Sequence, residues 1–126
     1  MMDVTDPAVV EGYHAHIYYD PQKTRGDAAE LRAAIAADFP HTLIGSWHDE
    51  PVGPHGVAMY QVVFDVADFP RFVPWLMLNR NGLDILVHPE TGDAYTDHSA
   101  HALWLGAPQP MRLEVLRRAR QSTRRE

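Results

Sequence analysis

The sequence contains no cysteine, which excludes disulfide bonds, thiolate metal sites and cysteine nucleophiles. Any metal ion must therefore be held by histidine, aspartate, glutamate or tyrosine side chains. No apolar run approaches the length of a membrane-spanning helix, and the acidic start MMDVTDPAVVEGYH lacks the basic and then apolar order of a secretory signal. From these absences we expect a cytoplasmic protein with no membrane partner.

Basic charge is scarce outside the C-terminal tail. The net charge is -6, yet six of the eleven Lys and Arg residues lie in the last fifteen positions. A basic tail can bind nucleic acid, but no aromatic residue lies between these arginines to stack on bases. We therefore expect no nucleic-acid partner. The length predicts one domain over residues 1–126, with residues 1–11 and 112–126 peripheral to it.

The pattern of apolar residues predicts an α+β fold. Strand patterns cover residues 12–20, 42–48, 57–65 and 83–88, and helical patterns cover 27–39, a segment that begins near residue 68, and 110–121. The order β-α-β-β-α-β is that of the ferredoxin-like fold, an antiparallel sheet whose two helices cover one face. A C-terminal helix follows. The other face must be covered by residues 90–110, by a partner subunit, or by both.

Apolar side chains on the expected surface favour a partner subunit. Trp75, Leu103, Trp104 and Leu105 amount to more apolar surface than a small monomer should expose. We therefore predict a homodimer.

Histidine is the abundant reactive residue, with eight copies. Alternate residues of a strand share a face, so His14 and His16 form a pair. His88 joins them if Ile85 and Val87 of its own strand face the helices. A single strand histidine is usually only hydrogen-bonded, but neutral imidazole is also the commonest metal ligand. Three converging imidazoles therefore point to a metal site on the open face.

Other histidines lie in the segments that should surround this face. His55 belongs to the loop 49–56, which two prolines and two glycines make irregular, as suits a pocket wall. His98 and His101 have the spacing of one helical turn, so they could be ligands, proton-transfer groups or part of the pocket rim. His48 can face the same side from the second strand. His41, beside a proline at a helix end, is expected only to form hydrogen bonds.

Four segments of the chain resemble the DOPA 4,5-dioxygenase family of short α+β proteins. They are YHAHIYYD at 13–20, HDEPVGPH at 48–55, VPWLMLNRNGLDILVHPETGD at 73–93 and DHSAHALWLG at 97–106. The resemblance implies a ferredoxin-like fold. For characterised members it also implies extradiol cleavage of the catechol ring of dihydroxyphenylalanine, so a small catechol is the expected substrate.

Extradiol cleavage uses Fe(II), commonly held by two histidines and one carboxylate, together with a base and an acid. Purified protein could carry another divalent ion such as zinc. This chain has no carboxylate in an obvious ligand motif, so an all-histidine set remains open beside Asp84 or Glu50 as third ligand. We assign His14, His16 and His88 as metal ligands, His48, His98 and His101 as catalytic proton-transfer groups, and His55, Arg80 and Tyr18 as substrate-binding residues.

Two other functions agree with the same sequence. A metal- or small-molecule-binding module would have the histidine-rich pocket but would not consume O₂ with catechols. A structural protein whose open sheet face dimerises would bind no stoichiometric metal and would tolerate the loss of its histidines.

Overall fold

The computed structural model describes residues 1–117. Its strands are β1 Gly12–Tyr18, β2 Leu43–Ile44, β3 Met59–Phe64, β4 Ile85–Glu90 and β5 Leu103–Leu105. Its α-helices are α1 Arg25–Asp38, α2 Phe69–Asn79 and α3 Ala94–His98, and single 3-10 turns cover Pro7–Val9 and Val66–Asp68. Residues 113–117 are also helical. Within residues 1–117, no helix has both the length and the apolar character needed to cross a membrane.

The five strands form one antiparallel sheet in the order β2-β3-β1-β4-β5. The first four strands have the ferredoxin-like order, which confirms the predicted α+β fold. Strand β1 is central because it pairs on both edges, with β3 and with β4, and its last four residues are buried. The fifth strand, β5, extends the sheet beyond β4.

The main hydrophobic core lies between the sheet and the helices α1 and α2. Helix α1 buries Ala28, Leu31 and Ile35, a spacing of three and four residues that makes one apolar stripe. These side chains meet the strand residues that alternation turns toward the helices, such as Ile17 and Tyr60. The helices therefore cover one face only, as predicted, and leave the other face available for a site.

The second face is covered by loops of the same chain. Tyr18, Met59 and Leu86 form a small apolar cluster there, against which Trp104 and Met111 pack. Leu105 is buried and Trp75 packs on the main core, so the apolar surface is smaller than the sequence suggested. Of the four residues behind the dimer expectation only Leu103 is exposed, and the homodimer stays a prediction.

Most predicted elements differ from their observed bounds by a few residues. The second strand, expected over 42–48, is only Leu43–Ile44, because three residues separate Ile44 from His48 while two separate their partners Val62 and Met59. One extra residue on one strand is a β-bulge, which interrupts the ladder. Strand β4 continues past His88 to Glu90. Of the predicted helix 110–121, residues 113–117 are helical, and the rest beyond 117 lies outside the described residues.

Candidate metal centre

Strand register brings the first three histidines together. In the antiparallel pair of β1 and β4, His14 lies opposite His88, His16 lies opposite Leu86, and Gly12 lies opposite Glu90. Directly opposed residues share a face of the sheet, so His14, His16 and His88 all point away from the helices. The predicted convergence of these three side chains is therefore present.

His55 approaches the same face from the loop between β2 and β3. Val52 and His55 are bridged in a tight turn in which Gly53 has a φ of 55°, a conformation that favours glycine. The turn is tied to the C-terminal segment, because the amide of Arg112 donates to the Pro54 carbonyl at 2.7 Å. These bonds hold His55 in a buried position, 4% exposed.

His98 approaches from α3, which is fixed by a buried carboxylate. Asp97 is 1% exposed and accepts hydrogen bonds from the Thr91 amide at 2.9 Å and the Thr91 hydroxyl at 2.6 Å. Asp93 caps the helix by accepting from the amide and the hydroxyl of Thr96. The next residue after Asp97 is His98, whose ring centroid lies 3.9 Å from that of His88.

We call the five rings of His14, His16, His55, His88 and His98 the imidazole cluster. Besides the contact of His98 with His88, centroid distances are 4.2 Å for His16 with His55 and 5.0 Å for His14 with His88. Among residues 1–117, the side chains that could hold a metal ion form two groups of three. Both include His16, one with His14 and His88 and the other with His55 and His98, and within each group one ring nitrogen per residue lies within 4.8 Å of the others.

Each ring of the imidazole cluster has an acceptor beside its Nδ1 atom. A neutral imidazole carries a single N–H, so a proton held on Nδ1 leaves the lone pair of Nε2 free to bind a metal. The neighbours are the Glu90 carboxylate at 3.3 Å for His14, the Met59 sulfur at 3.5 Å for His16, the Tyr18 hydroxyl at 2.7 Å for His55, the Pro89 carbonyl at 2.9 Å for His88 and the Ala94 carbonyl at 2.7 Å for His98.

Two Nε2 atoms of the cluster face each other directly. Those of His16 and His88 are 3.0 Å apart. The Nδ1 of His88 donates to the Pro89 carbonyl, so its Nε2 carries only a lone pair. Two lone pairs at this distance repel, and the contact is stable only with a proton or a cation between the two nitrogens.

Burial keeps the cluster neutral. Desolvation, with the repulsion of neighbouring imidazoles, lowers the pKa of His88 to about 3 and that of His55 to about 4. The same two causes lower the pKa of His16 well below its ordinary value. Burial also lowers the pKa of His14 and of His98. Neutral rings retain the lone pairs that a metal requires.

Glu90 is a site residue that the sequence analysis missed. Its Oε1 lies 3.3 Å from Nδ1 of His14 and 3.5 Å from Nδ1 of His88. Burial raises the pKa of Glu90, and the charge of Asp97 adds to that effect. The run Pro89-Glu90-Thr91-Gly92 reads as a turn, but β4 continues through Glu90. The spacing of two residues from His88 was the signal for a shared face.

Of the other predicted site residues, Tyr18 and His48 lie near His55, whereas Arg80 bonds elsewhere in the protein. Tyr18 bonds to His55, and His48 is close enough for its charge to depress the His55 pKa. Arg80 donates to the Leu83 carbonyl at 2.7 Å and lies 3.7 Å from Asp84, so its guanidinium already has partners inside the protein. Its role with substrate stays a prediction.

His101 lies apart from the imidazole cluster. Helix α3 ends at His98 and Ser99 leaves the helical conformation, so the expected helical turn from His98 to His101 does not form. His101 is exposed, lies 3.9 Å from Asp97, and lines a mainly apolar cavity of about 220 Å³ together with Tyr13 and His88. His101 therefore meets the cluster only across this cavity, and its catalytic role stays a prediction.

Asp84 and Glu50, the possible third ligands named from the sequence, belong to neither of the two histidine groups that could hold a metal ion within residues 1–117. Asp84 accepts from the Ala107 amide at 2.8 Å and from Gln109 at 2.6 Å, and Glu50 is exposed. The carboxylate of Glu90 lies behind the rings of His14 and His88, on their Nδ1 side. The cluster therefore presents only imidazole nitrogens at its centre.

Comparison with known proteins identifies the family. The model of the Dopa 4,5-dioxygenase family matches residues 13–115, which include every ring of the imidazole cluster. The chain belongs to the Dopa 4,5-dioxygenase family. The resemblance seen in the four sequence segments is thereby confirmed.

Two of three similar proteins are described as dioxygenases, one of them only as a candidate. A candidate dioxygenase from Nostoc punctiforme, known from a crystal structure, is 49% identical with a TM-score of 0.88, and the match covers 92% of this chain and 99% of that one. The DOPA 4,5-dioxygenase of Amanita muscaria is 30% identical, over 92% of this chain and 54% of that protein. An uncharacterised 21.2 kDa protein of Botryotinia fuckeliana is 36% identical, over 92% and 69% respectively. The chain spans about half the length of the Amanita protein.

Proposed function

We propose that this protein is an extradiol dioxygenase that uses Fe(II) and O₂ to open the ring of a small catechol. The observation that carries the proposal is the contact of His16 with His88, whose Nε2 atoms lie 3.0 Å apart inside a neutral five-ring cluster. Family membership and the DOPA 4,5-dioxygenase of Amanita muscaria support the choice of reaction.

The donor atoms fit a divalent transition metal. Two nitrogens that each lie about 2.1 Å from one ion, at a right angle, are about 3.0 Å apart, as are Nε2 of His16 and His88. His14, on the same face, would be the third ligand. Imidazole suits iron, and three ligands leave the open positions that catechol and O₂ require. A bound iron would supply the redox chemistry that couples catechol to O₂. The purified protein could carry zinc in the same site instead.

Glu90 has a supporting role in this site. Its carboxylate accepts the Nδ1–H of His14. The same carboxylate also lies beside the Nδ1 atom of His88. A carboxylate in this position fixes the ring orientation and increases the basicity of the opposite nitrogen. It thereby supplies negative charge to an all-imidazole ligand set without binding the metal itself.

Two groups remain for proton transfer. His98 donates its Nδ1–H to the Ala94 carbonyl, so its neutral ring presents an Nε2 lone pair that can take a catechol proton. The Tyr18 hydroxyl contacts His55, and burial raises the Tyr18 pKa far above neutrality. This pair can therefore return a proton to the opening ring. His48, beside His55, remains a candidate for binding the substrate or moving protons.

Oxygen uptake tests the proposal. Protein loaded with Fe(II) under anaerobic conditions is mixed with aerated DOPA, caffeate or protocatechuate, while an oxygen electrode and a spectrophotometer record the reaction. We expect one O₂ consumed per catechol and a yellow muconic semialdehyde or its cyclised form. A colourless dicarboxylic product would indicate cleavage between the hydroxyls. No uptake by protein that binds one metal per chain would favour the binding module, and no metal binding at all would favour the structural role.

A further inference from the structure

His16 differs from the other rings of the imidazole cluster in the acceptor at its Nδ1. Its neighbour is the thioether of Met59 at 3.5 Å, and both residues are buried, at 2% and 5% exposure. The other four rings face a carboxylate, a phenol or a backbone carbonyl. A thioether is a weak acceptor. The N–H of His16 is therefore the one held least firmly on Nδ1.

The weak acceptor allows His16 two arrangements. With no cation present, its proton can lie on Nε2 and be donated to Nε2 of His88, 3.0 Å away. With a cation between the two rings, Nε2 must be a lone pair and the proton must lie on Nδ1, facing the Met59 sulfur. His88 cannot exchange roles in this way, because its Nδ1–H is held by the Pro89 carbonyl at 2.9 Å.

We propose that Met59 is a positioning residue for His16, which changes tautomer when a metal ion binds. The Nε2 proton passes to solvent and Nδ1 takes one from solvent, so the ring stays neutral and no net proton is released. The thioether stabilises the Nδ1–H form just enough to free Nε2 for the ion. The inference rests on the metal site of the proposed function but not on its reaction.

A purely packing role for Met59 makes the opposite prediction. Met59 lies in the small apolar cluster with Tyr18 and Leu86. If packing alone mattered, Met59→Leu would be tolerated and Met59→Gln would be harmful, because glutamine buries an amide. If the acceptor matters, leucine removes it, whereas glutamine supplies an oxygen at the end of a side chain of nearly the same length.

Metal affinity separates the two roles. Zn²⁺ and Co²⁺ affinities are measured by competition with a chelator for the wild type, both Met59 variants, and the matched pair Met77→Leu and Met77→Gln. Met77 is exposed on α2. We expect about tenfold weaker binding for Met59→Leu, near-normal binding for Met59→Gln and no change at Met77. Wild-type affinity in Met59→Leu, or a loss only in Met59→Gln, would overturn the proposal.

The tautomer of His16 provides a readout that needs no turnover. Long-range ¹H–¹⁵N NMR spectra of histidine-labelled protein distinguish Nδ1–H from Nε2–H rings. We expect His16 as Nε2–H in metal-free protein and as Nδ1–H after one equivalent of Zn²⁺. The same tautomer in both states would refute the switch. Failure of the wild type to bind metal would refute both the switch and the proposed function, whereas an inactive protein with the tautomer change would refute only the reaction.

Discussion

Removal of the Tyr18 hydroxyl tests whether the His55 side of the imidazole cluster takes part in catalysis. Tyr18 is 3% exposed and its hydroxyl lies 2.7 Å from Nδ1 of His55. Tyr60 offers a matched control, because its buried hydroxyl donates to the Ala28 carbonyl at 2.9 Å on the helix side of the sheet. Tyr18→Phe and Tyr60→Phe therefore delete the same atom from the two faces.

The two substitutions should have comparable effects on stability. Tyr60→Phe removes one buried hydrogen bond but leaves Ala28 inside α1 with its helical donor, a loss of about 1 kcal/mol. Tyr18→Phe leaves the buried Nδ1 of His55 without its partner, which costs about 1–3 kcal/mol. For a chain of this length each kcal/mol lowers the melting temperature by roughly 4 °C. Both variants should remain folded at 25 °C.

Only Tyr18→Phe should impair turnover. Loss of a proton-transfer group typically slows an enzyme by about 10²–10⁴-fold, and we expect a fall in kcat of about 100-fold with unchanged metal content. Stopped-flow absorbance of the yellow product, elemental analysis and thermal melts would measure the three quantities. Wild-type kcat in folded, iron-loaded Tyr18→Phe would refute the assignment of Tyr18 and His55 as the proton donor.

Three further predictions concern the metal, pH and assembly. Elemental analysis should show that His88→Ala loses its metal while His41→Ala, at an exposed histidine outside the cluster, keeps it. In metal-free protein the unfolded chain takes up protons below pH 6.5, whereas folded His55, with a pKa of about 4, does so only at lower pH. The free energy of unfolding measured with urea should therefore fall between pH 6.5 and 4, by up to about 3 kcal/mol for this group. Light scattering at micromolar concentration should give a dimer of the 14.2 kDa chain, and a monomer mass would contradict this.

The strands could be predicted where one face is buried and the other is polar. In β1 the alternation of His14 and His16 with Ala15 and Ile17 determines both the strand and the orientation of its histidines, because a shift of one residue would bury the wrong set. The ferredoxin-like order then places β4 beside β1. Convergence of His88 with the β1 histidines followed from these two facts.

Features decided by tertiary contacts could not be predicted. The bulge after Ile44 arises from how two strands pair, which a single strand pattern does not encode. Pro89 and Gly92 on either side of Glu90 are typical of a turn, yet Gly12 lies opposite Glu90 and β4 continues. The acceptors beside Nδ1 come mainly from other parts of the chain, so the tautomers of the rings could not be deduced from spacing.

The two kinds of element that carry the imidazole cluster suggest a division of roles. His14, His16 and His88 lie on adjacent strands, and β1 is paired on both edges, so their separation is set by the ladder. His55 and His98 lie on segments held by a few hydrogen bonds, such as those from Thr91 to Asp97. Metal ligands require fixed geometry, and side chains on paired strands are positioned more precisely than side chains on loops. The ladder therefore favours the strand histidines as ligands, which leaves His55, on a loop, and His98, at the end of α3, as the reacting groups.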